Sequence, residues 1–316
     1  MRVLFAGTPE VALPALNALV AAPEHEVVGV LTRADARQGR GRALRPSPVA
    51  ARARQEGLEV RTPATLRDEA VAAWVRDLHV DVAVVVAYGR IVPPALLDVP
   101  GHGWLNLHFS VLPAWRGAAP VQHALIAGDD VTGACVFRLE EGLDTGDVYA
   151  RLTETIRPTD TAGDLLERLS HAGAPMILDV LEALEAGAIV PEPQDGSLAT
   201  MAPVLRPSDG VIDWTDPAPA IERRIRGVTP APGARTWLGA TDLRLGPVEV
   251  VANGPGLAPG ELQVAKREVL VGTGGGAVRL GRLAPAGRSW MEAEAWARGA
   301  RPPQGAHLGG PRPGDG

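Results

Sequence analysis

Cysteine is nearly missing from this chain of 316 residues: Cys135 is the only one. One thiol excludes an internal disulfide and any cysteine-built metal cluster, and points to a reducing compartment, the cytoplasm, as the expected setting. Long apolar runs are missing as well. "VDVAVVVAYG" (80–89) is far short of the roughly 20 residues that cross a bilayer. "MRVLFAGTPE" has neither the extended apolar core nor the cleavage site of a signal peptide, so no membrane partner is expected. Lysine is scarce beside arginine. The formal net charge of -6 excludes a general basic coat for nucleic acid but leaves local patches open. Glycines are missing where a dinucleotide fold needs them: the first turn, "AGTPEVALP", carries only Gly7, which argues against NAD or FAD. "GTGGG" (272–276) lacks the Gly-Lys-Ser/Thr continuation of a phosphate loop and reads as a turn. Histidines 25, 79, 102, 123, 171 and 307 show no ligand spacing, and no metal is expected.

What is present is a globular composition, 46% hydrophobic and 22% charged, with enough length for two cores. Strand-like and helix-like segments alternate over the first two-thirds. "RVLFAG" (2–7), "EVVGVLT" (26–32), "LEVRTP" (58–63), "VDVAVVVAYG", "GWLNLHFS" (103–110) and "GACVFRL" (133–139) read as strands. Helices are predicted after Thr8, from Ser47 or Pro48, near 68–78 and 120–127, and from Thr161 to Ala186. Thr8 is the expected cap of the first, Thr161 and Asp164 have capping-box spacing, and Pro175 marks a kink or break. The pattern predicts an α/β fold, a Rossmann-like, mostly parallel sheet with helices on both faces, over residues 1–189. Residues 190–206 ("VPEPQDGS" onward) read as a linker, and 207–301 as an OB-like β-barrel of five short strands. The stretch 302–316 reads as a disordered tail. Trp74, Trp104, Trp237, Trp290 and Trp296 read as packing residues.

Two segments can carry chemistry. In "NLHFSVLPAWRGAAP" (106–120), Asn106 and His108 lie two apart on a strand and therefore share a face. They either satisfy each other and the local backbone or face one ligand. "EEGLDTGD" (140–147) follows a strand at the expected carboxyl end of a sheet, where ligands bind; alone it reads as a turn.

Taken together with "FAGTPE", "GRGRALRPSPV" (39–49), "VVVAYGRIVP" (84–93), "WRGAAP", "LDTGD" (143–147) and "DGVIDW" (209–214), in this order, the chain resembles the folate-dependent formyltransferases. It is most similar to the branch acting on methionyl initiator tRNA. The resemblance implies a one-carbon transferase that moves the formyl group of 10-formyltetrahydrofolate to the α-amine of that tRNA, for translation initiation. A monomer is expected, with folate and tRNA as its partners. Asn106 is implied as an amide donor to the oxyanion and His108 as a protonated imidazole. Asp144 is implied as its partner or as a proton relay. Ser110, Val111, Leu112 and Pro113, with Ala87, Tyr88 and Gly89, are implied to line the folate site. Arg33, Arg37, Arg40, Arg42 and Arg45, in a flexible loop, are implied to contact tRNA. Phe109, Val111 and Ala114 depart from the usual family residues, as do "TPAPGA" and Met201 in the second domain. Three other readings are a formyltransferase acting on an amino-sugar nucleotide, a folate hydrolase domain and a non-catalytic RNA-binding module.

Overall fold

The computed structural model describes residues 1–38, 43–251 and 254–310. The chain divides into two compact units. The first comprises Met1–Pro120, Val131–Thr155 and Leu166–Pro203, and the second Val121–Asp130, Ile156–Leu165 and Val204–Gly316.

The first unit is built on a sheet of β1 (Arg2–Gly7), β2 (Glu26–Leu31), β5 (Val60–Arg61), β6 (Val82–Val86), β7 (Trp104–His108), β8 (Val131–Arg138) and β9 (Val148–Thr155). A separate two-stranded ribbon contains β3 (Ala36–Gln38) and β4 (Ala43–Arg45). The large sheet has the order β5-β2-β1-β6-β7-β8-β9. Its first five strands are parallel, whereas β8 and β9 are antiparallel additions. The parallel centre explains the unbroken apolar runs: all five residues of β6 are buried, and so are Val3 to Ala6 of β1.

Local chemistry sets most helix starts as expected. Ser47 Oγ accepts the Ala50 amide with Pro48 at the first helical position, and Asp68 caps the helix Glu69–Asp77. In the second unit, Thr161 and Asp164 exchange the hydrogen bonds of a capping box. The helix Ala162–Glu185 runs on through Pro175, where a kink or break was expected. Thr8 does not cap. A 3-10 turn (Glu10–Ala12) intervenes, the helix begins at Leu13 with Pro14 in its first turn, and Thr8 Oγ1 instead donates to the Tyr88 carbonyl.

Three stretches differ from expectation. The arginine-bearing loop is a β-ribbon where described: Ala36 pairs with Arg45 and Arg37 with Leu44. Residues 190–203, expected as linker, belong to the first unit. Glu192 and Val148 exchange two backbone hydrogen bonds of 2.8 Å, and Arg116 pairs with Thr200 and Ala202. Residues 302–310, expected as disordered tail, add to the second unit. Leu308 bridges Leu238 and is 2 % exposed, and His307 bridges Glu261. In both stretches, backbone groups at a strand edge find partners in the passing chain.

The second unit carries two four-stranded sheets. One has the order β10 (Ala234–Leu238), β11 (Thr241–Leu245), β16 (Arg282–Pro285), β17 (Met291–Glu292). The other has the order β12 (Val248–Val251), β15 (Ala277–Leu280), β14 (Val269–Gly272), β13 (Leu262–Val264). All pairings are antiparallel. Trp214, Ile221, Leu243, Val271, Leu283 and Trp296 meet in its core. Trp290 is not a packing residue: it is 39 % exposed, with the Arg244 guanidinium 5.1 Å from its ring centroid. "GTGGG" is the connection from β14 to β15, a turn as expected.

Candidate active site

The candidate site lies where β7 ends. Alternation along the strand puts Asn106 and His108 on one face, opposite Phe137 and Cys135 of β8. The His108 ring stands edge-on to Phe137, with centroids 6.1 Å apart. The Asn106 side chain is half-buried and makes no hydrogen bond to protein among the described residues. Its amide is thus available to a ligand.

The chain then turns sharply through Ser110 to Gly117. Trp115 takes φ 59, and its carbonyl sits 2.9 Å from His108 Nε2. A carbonyl only accepts, so Nε2 carries the proton and Nδ1 is left facing Asp144. Nδ1 lies 3.8 Å from Asp144 Oδ2. Asp144 itself sits in the left-handed region at φ 52, a conformation that aspartate tolerates better than most residues. Its Oδ2 accepts the Gly117 amide at 2.7 Å. Gly117 has to be glycine: its φ is 126, and a Cβ there would lie 2.5 Å from the Ala202 carbonyl. Gly146 lets the acidic loop fold back, since a Cβ would lie 1.8 Å from the Arg138 carbonyl.

Electrostatics correct one expectation. His108 is 6 % exposed, and burial lowers its pKa below the ordinary value of 6.5. The Asp144 charge and the Trp115 carbonyl oppose this shift without cancelling it. Burial thus works against the protonated imidazole that the resemblance implies. The neighbouring Cys135 thiol is pushed up to about 12 by burial, so it is neutral and inert.

The residues implied to line a folate site divide. Ala87 and Gly89 are exposed with φ 48 and 78, presenting backbone, and Ile91 beside them is 89 % exposed. Val111 and Pro113 are half-buried. Three side chains point elsewhere. Tyr88 is 1 % exposed in the core with Leu96 and Trp104. Ser110 is buried and donates to the Ala114 carbonyl at 2.6 Å. Leu112 is 1 % exposed and packs with Cys135, Phe137 and Val148. A hydrophobe at the end of a buried strand finds the core before it finds a pocket. Arg33, Arg37 and Arg45 are exposed. Arg40 and Arg42 lie outside the described residues.

The sequence reading missed Gln194. Its side-chain amide donates to the carbonyls of Asp144 (2.9 Å) and Gly146 (2.7 Å), and its oxygen accepts from Arg116 Nη2 (2.7 Å). Thr200 Oγ1 accepts the Trp115 amide at 2.8 Å. Proline neighbours made this segment read as a connector.

Asn106, with no hydrogen bond to protein among the described residues, and the His108–Asp144 pair stand at the carboxyl end of a mainly parallel sheet, where α/β enzymes bind their ligands. The chain belongs to the formyl transferase family. Residues 1–181 match "Formyl transferase", and residues 204–301 match "Formyl transferase, C-terminal domain". A methionyl-tRNA formyltransferase of Salinispora tropica is 55% identical over 301 residues, covering 95% of this chain and 97% of the relative. Among solved structures, the methionyl-tRNA formyltransferase from Clostridium thermocellum aligns with a TM-score of 0.58 at 16% identity, over 80% of this chain and 95% of its own. HypX from Aquifex aeolicus, in complex with tetrahydrofolic acid, aligns with a TM-score of 0.63 at 18% identity, over 94% of this chain and 47% of its own. At those identities the two structures speak for the fold.

Proposed function

We propose that this chain carries the formyl group of 10-formyltetrahydrofolate to the α-amino group of methionine esterified to initiator tRNA, giving N-formylmethionyl-tRNA for translation initiation. The observation that carries the reading is the likeness to methionyl-tRNA formyltransferases at more than half identity over nearly the whole chain, joined to the Asn106–His108–Asp144 geometry. The same reading puts the enzyme in the cytoplasm. No helix among the described residues is long and apolar enough to cross a membrane.

The residues suit this chemistry. A free α-amine has a pKa of about 7.7–8.0, so much of it is already a nucleophile near neutrality. What the protein has to supply is stabilisation of the oxyanion that develops on the formyl group, and a route for one proton. Asn106 offers an amide N–H to the oxyanion. His108 shares with Asp144 the one proton that the attacking amine releases, so positive charge develops on the ring while that proton is held there. Asp144, held by the Gly117 amide, faces the ring edge where the resulting positive charge develops. Asp144 Oδ1 has no protein partner among the described residues and is the acceptor for the proton leaving the attacking amine. As the new C–N bond forms and the old bond to folate N10 breaks, that proton passes to N10, and the charge balances. The folate fits the exposed backbone at Ala87 and Gly89 and the apolar Ile91 side chain. Arg33, Arg37, Arg40, Arg42 and Arg45 would contact tRNA phosphates. Incubating the purified protein with 10-formyltetrahydrofolate and methionyl initiator tRNA should yield formylmethionine after ester hydrolysis, read by mass; its absence sinks the reading.

A further inference from the structure

Every hydrogen-bonding group of the Gln194 side chain is committed, and all its partners belong to the walls of the candidate site. Nε2 has two protons, one on the Asp144 carbonyl at 2.9 Å and one on the Gly146 carbonyl at 2.7 Å. Oε1 has two lone pairs, taken by Arg116 Nε at 3.1 Å and Nη2 at 2.7 Å. A primary amide matches this set of two acceptors on one side and a donor fork on the other. A carboxylate cannot donate to the carbonyls, and an ammonium cannot accept from the arginine.

The two walls also meet directly, where the Gly117 amide donates to Asp144 Oδ2. Asp144 occupies a left-handed backbone conformation that few non-glycine residues adopt, in a turn lacking regular ladder hydrogen bonds. Such a conformation persists only where its surroundings over-determine it. Gln194 supplies two of the bonds that do so, from a segment that is itself pinned: Glu192 pairs with Val148 on one side, and Thr200 binds the backbone at Trp115 and Arg116 on the other. With the Asp144 carbonyl held from outside, the backbone that carries the carboxylate is fixed, and the Gly117 amide then holds the carboxylate itself beside His108.

We propose that Gln194 is a positioning residue for the transfer reaction: it holds the Asp144 loop against the Arg116–Gly117 turn, so that the Asp144 carboxylate is aimed at His108 before any substrate arrives. Gln194 touches no reacting atom. Its effect falls on turnover, not on binding of either substrate. The inference deepens the proposed function and rests on it for its kinetic reading, whereas the geometric part can be read without any reaction.

The test uses the full chain with Gln194→Met, which keeps the length and removes all four bonds, and Gln194→Glu, which keeps an acceptor for Arg116 but sets oxygens against the two carbonyls. Each variant should melt close to the wild type and keep both Michaelis constants within about twofold. Each should lose on the order of 10²-fold in kcat, as expected when a catalytic group is misplaced by about 1 Å. Amide exchange at Gly117 should be protected in the wild type and accelerate in both variants, because Asp144 Oδ2 leaves it. A Gln194→Glu enzyme with wild-type kcat overturns the proposal, since the Arg116 bond alone would then suffice. So does unchanged Gly117 exchange, or a loss of kcat matched by collapse of the melting temperature in both variants. If the wild type forms no formylmethionyl-tRNA, the functional reading fails, while Gly117 exchange still decides the positioning.

Discussion

Asp144 Oδ2 lies 2.7 Å from the Gly117 amide nitrogen and 3.8 Å from His108 Nδ1. The carboxylate is thus held first by backbone and faces the imidazole second. Its attraction to the imidazole strengthens when the ring becomes charged. Asp144→Asn, His108→Ala and Asn106→Ala should each lower kcat on the order of 10²–10³-fold, with melting temperatures little changed. If Asp144 works mainly through His108, the double variant should be little worse than the poorer single one. Initial rates at saturating substrates check this, and near-normal turnover in any single variant removes that residue from the mechanism.

Burial depresses the His108 pKa in the folded protein below its ordinary value of 6.5. The unfolded chain therefore binds a proton at this site more tightly than the folded one. The neutral ring contributes stability that is fully present above 6.5 and is lost as pH falls through the depressed folded value. Denaturant titrations at a series of pH values should show the wild type losing ground below 6.5 relative to His108→Asn. Parallel curves for the two proteins would contradict the assignment.

Leu112 sits 1 % exposed among Cys135, Phe137 and Val148. Leu112→Ala should cost about 2–5 kcal/mol of stability through the cavity it leaves. Leu112→Asp should unfold the first unit rather than weaken folate binding selectively. A folded Leu112→Asp protein with only a raised folate KM would move this side chain from the core to the pocket wall.

The ribbon arginines make a separate case. Arg37 and Arg45 are exposed on β3 and β4. Replacing both with alanine should raise the KM for tRNA and leave that for folate alone. The slope of log affinity against log salt should fall by about 0.7–0.9 for each phosphate that these arginines neutralise. Filter binding at several salt concentrations measures this; an unchanged slope makes the ribbon a connector.

The central fold was legible because doubly buried parallel strands write themselves as apolar runs, as β1 and β6 do. β9 escaped notice, although "VYARLTET" alternates in exposure along much of its length. Such half-exposed strands lack the apolar run and need a period-two reading. That Asn106 and His108 share a face was legible from spacing, while the roles given to them came from the resemblance. Asp144 came only from resemblance, because nothing local says that its loop folds back on Gly117. Gln194 was hidden by prolines that suggested a linker, and its role depends on carbonyls 48 and 50 residues away. The capping role expected of Thr8 failed because a more distant acceptor, the Tyr88 carbonyl, took its hydroxyl. Long-range hydrogen bonds of this kind leave no periodic trace.

The most direct measurement sets two acceptors against each other under one formyl donor. The enzyme is given 10-formyltetrahydrofolate with methionyl initiator tRNA in one reaction and a nucleotide-linked amino sugar in the other, and kcat/KM is compared. The account predicts rapid formylation of the methionyl-tRNA, negligible formylation of the sugar, and loss of the tRNA reaction in Asp144→Asn. A preference for the amino sugar, or full tRNA formylation by Asp144→Asn, would contradict it.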